Sequence, residues 1–399
     1  MDEWCTGDRR PRRRGVQHLL AGRHHAADPH HGAGAVDDLD NRAEQHCDHH
    51  PLQRGPTDAA ECGPPHVRLL LPVVGQRPLA RPAGPELSLH RHPLPLPANL
   101  SGDGCTVTNN YPGNQLTDVA SPLWTQSDPS QIQSDVALAA ATGLAGFAVS
   151  WAGTGLPNQT VNSSAFNQRL AALVAAVQQV NRQGTPFSLW IAYISSARIR
   201  TTDQINNDLA YLDKTYADNS AFDHSNGGKP TLIMMGSRKY PISVLNAFSA
   251  RWRSHFYLVG DENWDTWNSA KAADFDADQY YWSSQNPLTN TGSFADIDKL
   301  AAMVRSSRNP NGSAKQFFAP MAPGYNKVLG GGSGCVPRLG GQTMEDLYAG
   351  NSSADPDGWM VISWNEIDEG TYIVPLERYG EQSLSTLKGI IDGPVASAG

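Results

Sequence analysis

The sequence predicts an α/β protein of the (β/α)8 TIM-barrel class, and three observations carry that prediction. Short runs rich in β-branched and aromatic residues alternate with longer amphipathic runs from residue 129 to the C-terminus. Aromatic and acidic residues recur just past the C-terminal ends of the short runs, where barrel loops assemble a site. The last short run, Trp359–Trp364, breaks into a polar turn that carries Glu366 and Glu369, two carboxylates three residues apart.

The elements follow in order. A helix over 129–142 has alanines and leucines at helical spacing and precedes a strand over 145–151. A helix over 162–183 starts at Asn162 or Ser163 and stops before Gly184-Thr185-Pro186. Strand 187–193, helix 203–216, strand 231–235 and a helix near 242–248 come next. Strand 256–260, a short helical piece near 264–273 and strand 278–282 continue the alternation. Helix 293–306, strand 316–321, a Gly-rich loop through Gly341, helix 343–350, strand 359–364 and a helix from Pro375 to Ile391 complete it. Seven strands in βα alternation with right-handed crossovers leave a barrel short of one strand, the first.

The place where that strand belongs is unusual. Residues 1–100 hold 11 of the 13 histidines, 12 of the 23 arginines and 13 of the 28 prolines, but no Lys, Ile, Phe or Tyr. Without aromatic and β-branched residues a core can hardly be filled. The histidines lack a ligand spacing that would hold a metal. The arginines are matched by 12 acidic residues, so no basic field for phosphate arises. Such a composition is what a GC-rich gene gives when read out of frame. Leu69-Leu70-Leu71-Pro72-Val73-Val74-Gly75-Gln76 can be encoded so that a one-nucleotide shift yields Tyr-Tyr-Phe-Pro-Trp-Trp-Gly, a plausible barrel strand. The expectation is a division into an out-of-frame or disordered segment, 1–100, and a barrel domain, 101–399, with the first strand lost or garbled.

The domain 101–399 carries 19 Lys and Arg against 27 Asp and Glu, the whole net charge of −8. That balance argues against nucleic acid or an anionic membrane as partner. No apolar stretch approaches the length of a membrane span, and no signal peptide is readable. Few charges with many Trp, Tyr, Asn, Ser and Gly suit an extracellular parent protein that handles neutral polar ligands. Cys105 and Cys335 are the two cysteines here, and their pairing is left open. Gly330–Gly334 lacks the lysine of a phosphate loop.

Paired carboxylates at a strand's C-terminal lip suit glycosidic bond cleavage, which needs one group to protonate the leaving oxygen and another to act as base or nucleophile. Glu366 and Glu369 are the catalytic candidates. Around the same rim, Trp151, Tyr193, Asp261, Trp264, Tyr281, Trp282, Tyr325, Trp364, Asn365 and Tyr372 are the substrate-binding candidates. Aromatic faces meet the C–H faces of sugars, while carboxylates and amides bind hydroxyls.

The run Trp364-Asn365-Glu366-Ile367-Asp368-Glu369-Gly370-Thr371-Tyr372-Ile373-Val374-Pro375 resembles the signature of glycoside hydrolase family 99 and its relatives. Phe147-Ala148-Val149-Ser150-Trp151 and Ala322-Pro323-Gly324-Tyr325 look like that family's second and seventh strands. The resemblance implies a (β/α)8 barrel that cleaves α-mannosidic linkages with retention, without metal or other cofactor. It makes Glu366 the base that takes the sugar 2-hydroxyl proton and Glu369 the general acid at the leaving oxygen, which needs a raised pKa. Ile367, Asp368 and Val374 depart from the family pattern and put the substrate in question. An α-1,3-glucanase of the family 71 type, a catalytically inactive glycan-binding barrel and a defective product lacking its first strand are the alternatives. The expected partner is an oligosaccharide or polysaccharide, and the expected state a monomer.

Overall fold

A computed structural model of the chain describes residues 69–73, 105, 118, 120, 125, 127–154, 163–194, 200–290, 292–327 and 334–393. The expectation of disorder across 1–100 therefore lies outside the described residues, apart from 69–73.

Seven parallel strands form the barrel wall: β2 (Gly146–Trp151), β3 (Ser188–Ile194), β4 (Thr231–Met235), β5 (Tyr257–Asp261), β6 (Ala277–Gln279), β7 (Gln316–Met321) and β10 (Gly358–Val361). Helices α1 (Pro129–Thr142), α2 (Ser163–Arg182), α3 (Thr202–Tyr216), α4 (Ile242–Trp252), α5 (Ser269–Asp274), α6 (Ser293–Ser306), α7 (Gln342–Asn351) and α8 (Gln382–Asp392) alternate with them. The ring is closed by β1 (Leu69–Val73), which sits between β10 and β2 and runs antiparallel to both. The segment expected to hide the first strand thus occupies the first strand's slot, with its chain direction reversed.

Local chemistry accounts for the helix ends. Asp128 accepts from the Ser130 N–H at 2.8 Å and Pro129 opens α1, while Gly143 closes it at φ 98°. Thr201 and Gln204 make a reciprocal capping box on α3. Asn268 caps α5.

The strand registers sort the side chains into two faces. Trp190 and Phe318 meet edge to face inside the barrel, with centroids 5.0 Å apart, so residues in register with them point inward. Ser150, Ala192, Ile233, Asp261, Gln279, Pro320 and Met360 share that face. Their neighbours face the helices; Trp359, for example, packs on Tyr348 of α7 at 4.8 Å.

Some boundaries differ from the expected ones. Strand β6 ends at Gln279, and Tyr280–Trp282 belong to the following loop. Strand β10 ends at Val361, and α8 begins only at Gln382, because residues 362–374 fold back on themselves. The Gly-rich loop holds a small antiparallel pair, β8 (Tyr325–Asn326) with β9 (Cys335–Val336). Cys335 is disulfide-bonded to Cys105 with Cα atoms 5.6 Å apart, which answers the pairing that the sequence left open.

Candidate active site

The chain leaves β10 and turns back within a few residues. Ser363 N–H donates to Thr371 carbonyl oxygen at 2.9 Å, and Ile373 N–H returns to Ser363 oxygen at 2.9 Å. The Ser363 and Thr371 hydroxyls lie 3.0 Å apart, and Ser363 Oγ also accepts the Glu366 N–H at 2.9 Å. Glu366, Ile367, Asp368 and Glu369 are therefore the tip of a pinned loop. Gly370 turns the chain at φ 67°, where a Cβ would lie 3.0 Å from the Asn326 nitrogen.

Glu366 and Glu369 are both buried, at 2% and 4% exposure, while Asp368 is half-buried. Burial of charge is costly, so each of these carboxylates needs compensating partners. Glu369 is gripped from two other loops. Lys327 Nζ donates to its Oε1 at 2.9 Å, and the Tyr281 hydroxyl donates to its Oε2 at 3.4 Å. Its own backbone oxygen accepts the Asn326 N–H at 2.7 Å. Tyr325 lies close by; burial first, then the Glu369 and Asp368 charges, push its hydroxyl pKa well up.

On either side of Tyr281 in the chain, Tyr280 and Trp282 form an aromatic cluster with Trp264, centroids 5.4–5.6 Å apart, and Arg238 lies over the Tyr280 ring at 5.5 Å. Trp264 is half-buried and so keeps a face toward solvent.

No protein-family model matches the chain, and no curated protein matches it. Solved structures do. An endo-α-mannosidase of glycoside hydrolase family 99 from Bacteroides thetaiotaomicron, in complex with Bis-Tris propane, aligns with TM-score 0.55 and 17% identity over 70% of this chain and 88% of that one. A second structure of the family 99 endo-α-mannosidase from that organism gives 0.54 and 15% over 73% and 90%. A glycoside hydrolase-like protein gives 0.54 and 12% over 71% and 92%. In fold, this chain is similar to glycoside hydrolase family 99.

Within that family 99-like barrel, the structure brings only part of the expected set together. Tyr281 and Tyr325 stand beside Glu369, with Trp264 and Trp282 in the neighbouring cluster. Trp151 and Tyr193 depart from the expected rim position because strand parity turns them outward to the helices. Trp151 bonds Asn167 at 2.9 Å and stacks on Tyr211. The Tyr193 hydroxyl bonds Asp208 at 2.7 Å beside Arg200, and burial pushes it far up. Trp364 packs on Phe147 at 5.4 Å, fully buried. Tyr372 lies against Arg338, 4.4 Å from its centroid, and donates to Asp118. Asn365 faces a mainly apolar cavity shared with Asp135, Trp151, Phe166 and Arg169.

Asp261 is committed to protein donors instead of open to sugar. Its Oδ2 accepts the Gly236 N–H at 2.7 Å and pairs with Arg238 at 2.9 Å, and its Oδ1 accepts the Tyr281 N–H at 3.0 Å. Behind it, Glu262 takes Ser237 Oγ at 2.6 Å and Lys271 Nζ at 2.9 Å. Asp278 is fully enclosed; burial, then the Glu262 and Asp261 charges, hold its pKa well above the usual range. Sequence reasoning missed Lys327 altogether. It stands two residues after Tyr325 in a loop with no periodicity, and only the proximity of two loops gives it meaning.

Proposed function

We propose that this chain is a glycoside hydrolase that cleaves α-linked glycan of α-mannan type, with Glu366 and Glu369 as its carboxylate pair. The observation that carries this reading is the burial of both glutamates on one pinned turn past β10, with Glu369 held by Lys327 and Tyr281. That turn lies beyond the C-terminal end of a barrel strand, where barrel enzymes keep their chemistry. The likeness in fold to family 99 endo-α-mannosidases supports the substrate class.

In this reading Glu366 takes the proton from the sugar 2-hydroxyl, and that oxygen attacks the anomeric carbon with retention overall. Glu369 protonates the departing oxygen and then deprotonates the water that reopens the three-membered ring at the anomeric carbon, while Glu366 returns the proton to the 2-oxygen. Both Glu369 oxygens accept hydrogen bonds in the present arrangement. For acid catalysis a proton drawn from solvent, shared with the leaving oxygen, takes the place of one of those donors. The Trp264 cluster offers apolar faces to the sugar ring.

The test is turnover of α-mannan and α-1,3-glucan oligosaccharides, with the product anomer read by NMR. Glu366→Gln and Glu369→Gln should each lower kcat at least about 10²-fold. Near-wild-type turnover in either variant removes that residue from the reaction. Faster turnover of the glucan than the mannan moves the substrate to the family 71 type. We further propose that the parent protein works outside the reducing cytosol, a reading the Cys105–Cys335 bond supports; fractionation of the producing cells and their medium checks this.

The reversed β1 favours a second, narrower reading for this particular chain. A barrel closed by a strand of the wrong direction supports its catalytic loops poorly, so low turnover is expected from the chain as written. Binding of an oligosaccharide with no turnover at all, in a stably folded chain, would identify a glycan-binding barrel instead.

A further inference from the structure

We infer that Asp261 is a positioning residue that holds Tyr281 against Glu369, and that it does so by tying together the loops that follow β4, β5 and β6. The inference rests on Glu369 being a catalytic group, as proposed above. Asp261 is the last residue of β5 and faces inward by register with Gln279. It is 2% exposed, and each of its oxygens has a different task. Oδ2 gathers the loop after β4 through the Gly236 N–H at 2.7 Å and the Arg238 guanidinium at 2.9 Å. Oδ1 accepts the Tyr281 N–H at 3.0 Å and so fixes the backbone of the loop after β6.

The clamp is reciprocal. Ser237 Oγ accepts the Asp261 N–H at 2.9 Å, and Arg238 donates to the Asp261 carbonyl at 3.2 Å. Tyr281 belongs to no strand, because β6 stops at Gln279. No β-ladder therefore holds its backbone, and the bond from its N–H to a buried carboxylate fixes where the side chain starts. The consequence appears at the other end of the side chain, where the Tyr281 hydroxyl reaches Glu369 Oε2 at 3.4 Å. A carboxylate accepting backbone N–H groups from two loops is a strong and directional link, of the charge-assisted kind. Substrate binding by Asp261, the role its rim position predicts, would compete with these bonds.

The test installs 3-fluorotyrosine at position 281 in the full chain and follows its fluorine resonance, which needs no turnover. Glu369→Gln should move that resonance, since the ring's hydroxyl bonds that residue. In an Asp261→Asn background the same Glu369→Gln step should move it by less than half as much, because the ring is no longer held in place. Should Asp261→Asn fail to fold, Arg238→Gln loosens the same clamp from its more exposed side and should reduce the response in the same direction. A response of undiminished size in these backgrounds overturns the proposal.

A kinetic arm separates this result from the glycosidase reading. Where the chain turns over glycan, kcat for Asp261→Asn should fall about 10-fold with KM within twofold, and Tyr281→Phe should add little to it. Additive losses would also overturn the proposal while leaving the glycosidase reading intact. Absence of turnover in the unsubstituted chain counts against the glycosidase reading alone, since the fluorine response still decides the positioning role.

Discussion

Glu369 and Lys327 reach each other from separate loops, 42 residues apart in sequence, and both are largely buried. Removing one member of such a pair leaves the other charge uncompensated, which costs about 3–5 kcal/mol. Lys327→Met should therefore lower the unfolding free energy by about that amount, and Glu369→Gln in the same chain should recover much of it. Equilibrium denaturation of the two single variants and the double variant checks the coupling. Asp135 gives a pH-dependent prediction. Burial pushes its pKa up from 3.8 to about 6, against the opposing pull of the Gln131 amide and the Trp364 indole. The folded state therefore binds this proton more tightly than the unfolded chain, so stability falls as pH rises from about 4 through about 6. Asp135→Asn should be more stable than the parent at pH 7, by up to about 3 kcal/mol, with the gain vanishing near pH 3.5. Thermal melts at both pH values measure it; an equal effect at the two would refute the assignment. At this scale the two glutamates were legible because adjacent sequence holds both, whereas Lys327 and Asp118 acquire partners only through folding.

Among the elements, the helices were the most readable. Amphipathic spacing is a local signal, and the structure keeps α1 and α6 at their expected bounds. Strand ends were less so, since the apolar character of Tyr280–Trp282 and Ile362–Trp364 comes from packing in loops, not from the ladder. The inward pair Trp190 and Phe318 shows what the ladder does build. Both are essentially fully buried, and Trp190 Nε1 also donates to Asp223 at 2.8 Å. Phe318→Ala should cost about 3–5 kcal/mol by opening a cavity inside the barrel. A loss below about 1 kcal/mol in urea denaturation would mean that the interior is not packed there. Strand parity likewise explains why Trp151 and Tyr193 serve the helix layer. They lie at the C-terminal ends of the correct strands but on the outward phase, and an aromatic in a sequence carries no label for inside or outside.

Across the whole molecule, closure is the deciding issue. Seven parallel strands leave one slot in the ring, and Leu69–Val73 fills it antiparallel to both neighbours. Replacing Leu69–Gly75 by Tyr-Tyr-Phe-Pro-Trp-Trp-Gly, the peptide of the shifted frame, should raise the melting temperature by several degrees through better burial of aromatic surface. No gain in melting temperature would remove the frame-shift explanation. The Cys105–Cys335 bond ties residue 105 to the Gly-rich loop across a separation of 230. Cys335→Ser should therefore lose about 2–5 kcal/mol under oxidising conditions and nothing under reducing ones.

Alternation of apolar and amphipathic runs determined the α/β class and seven of the strands, and the Glu366–Glu369 turn determined where to look for chemistry. Both are local patterns, carried by residues close together in the chain. The tertiary structure alone decided the partners of those glutamates, the inward or outward phase of each aromatic, the disulfide and the direction of the closing strand. Each of these depends on which distant segments meet, and burial of side chains between such segments sets that outcome.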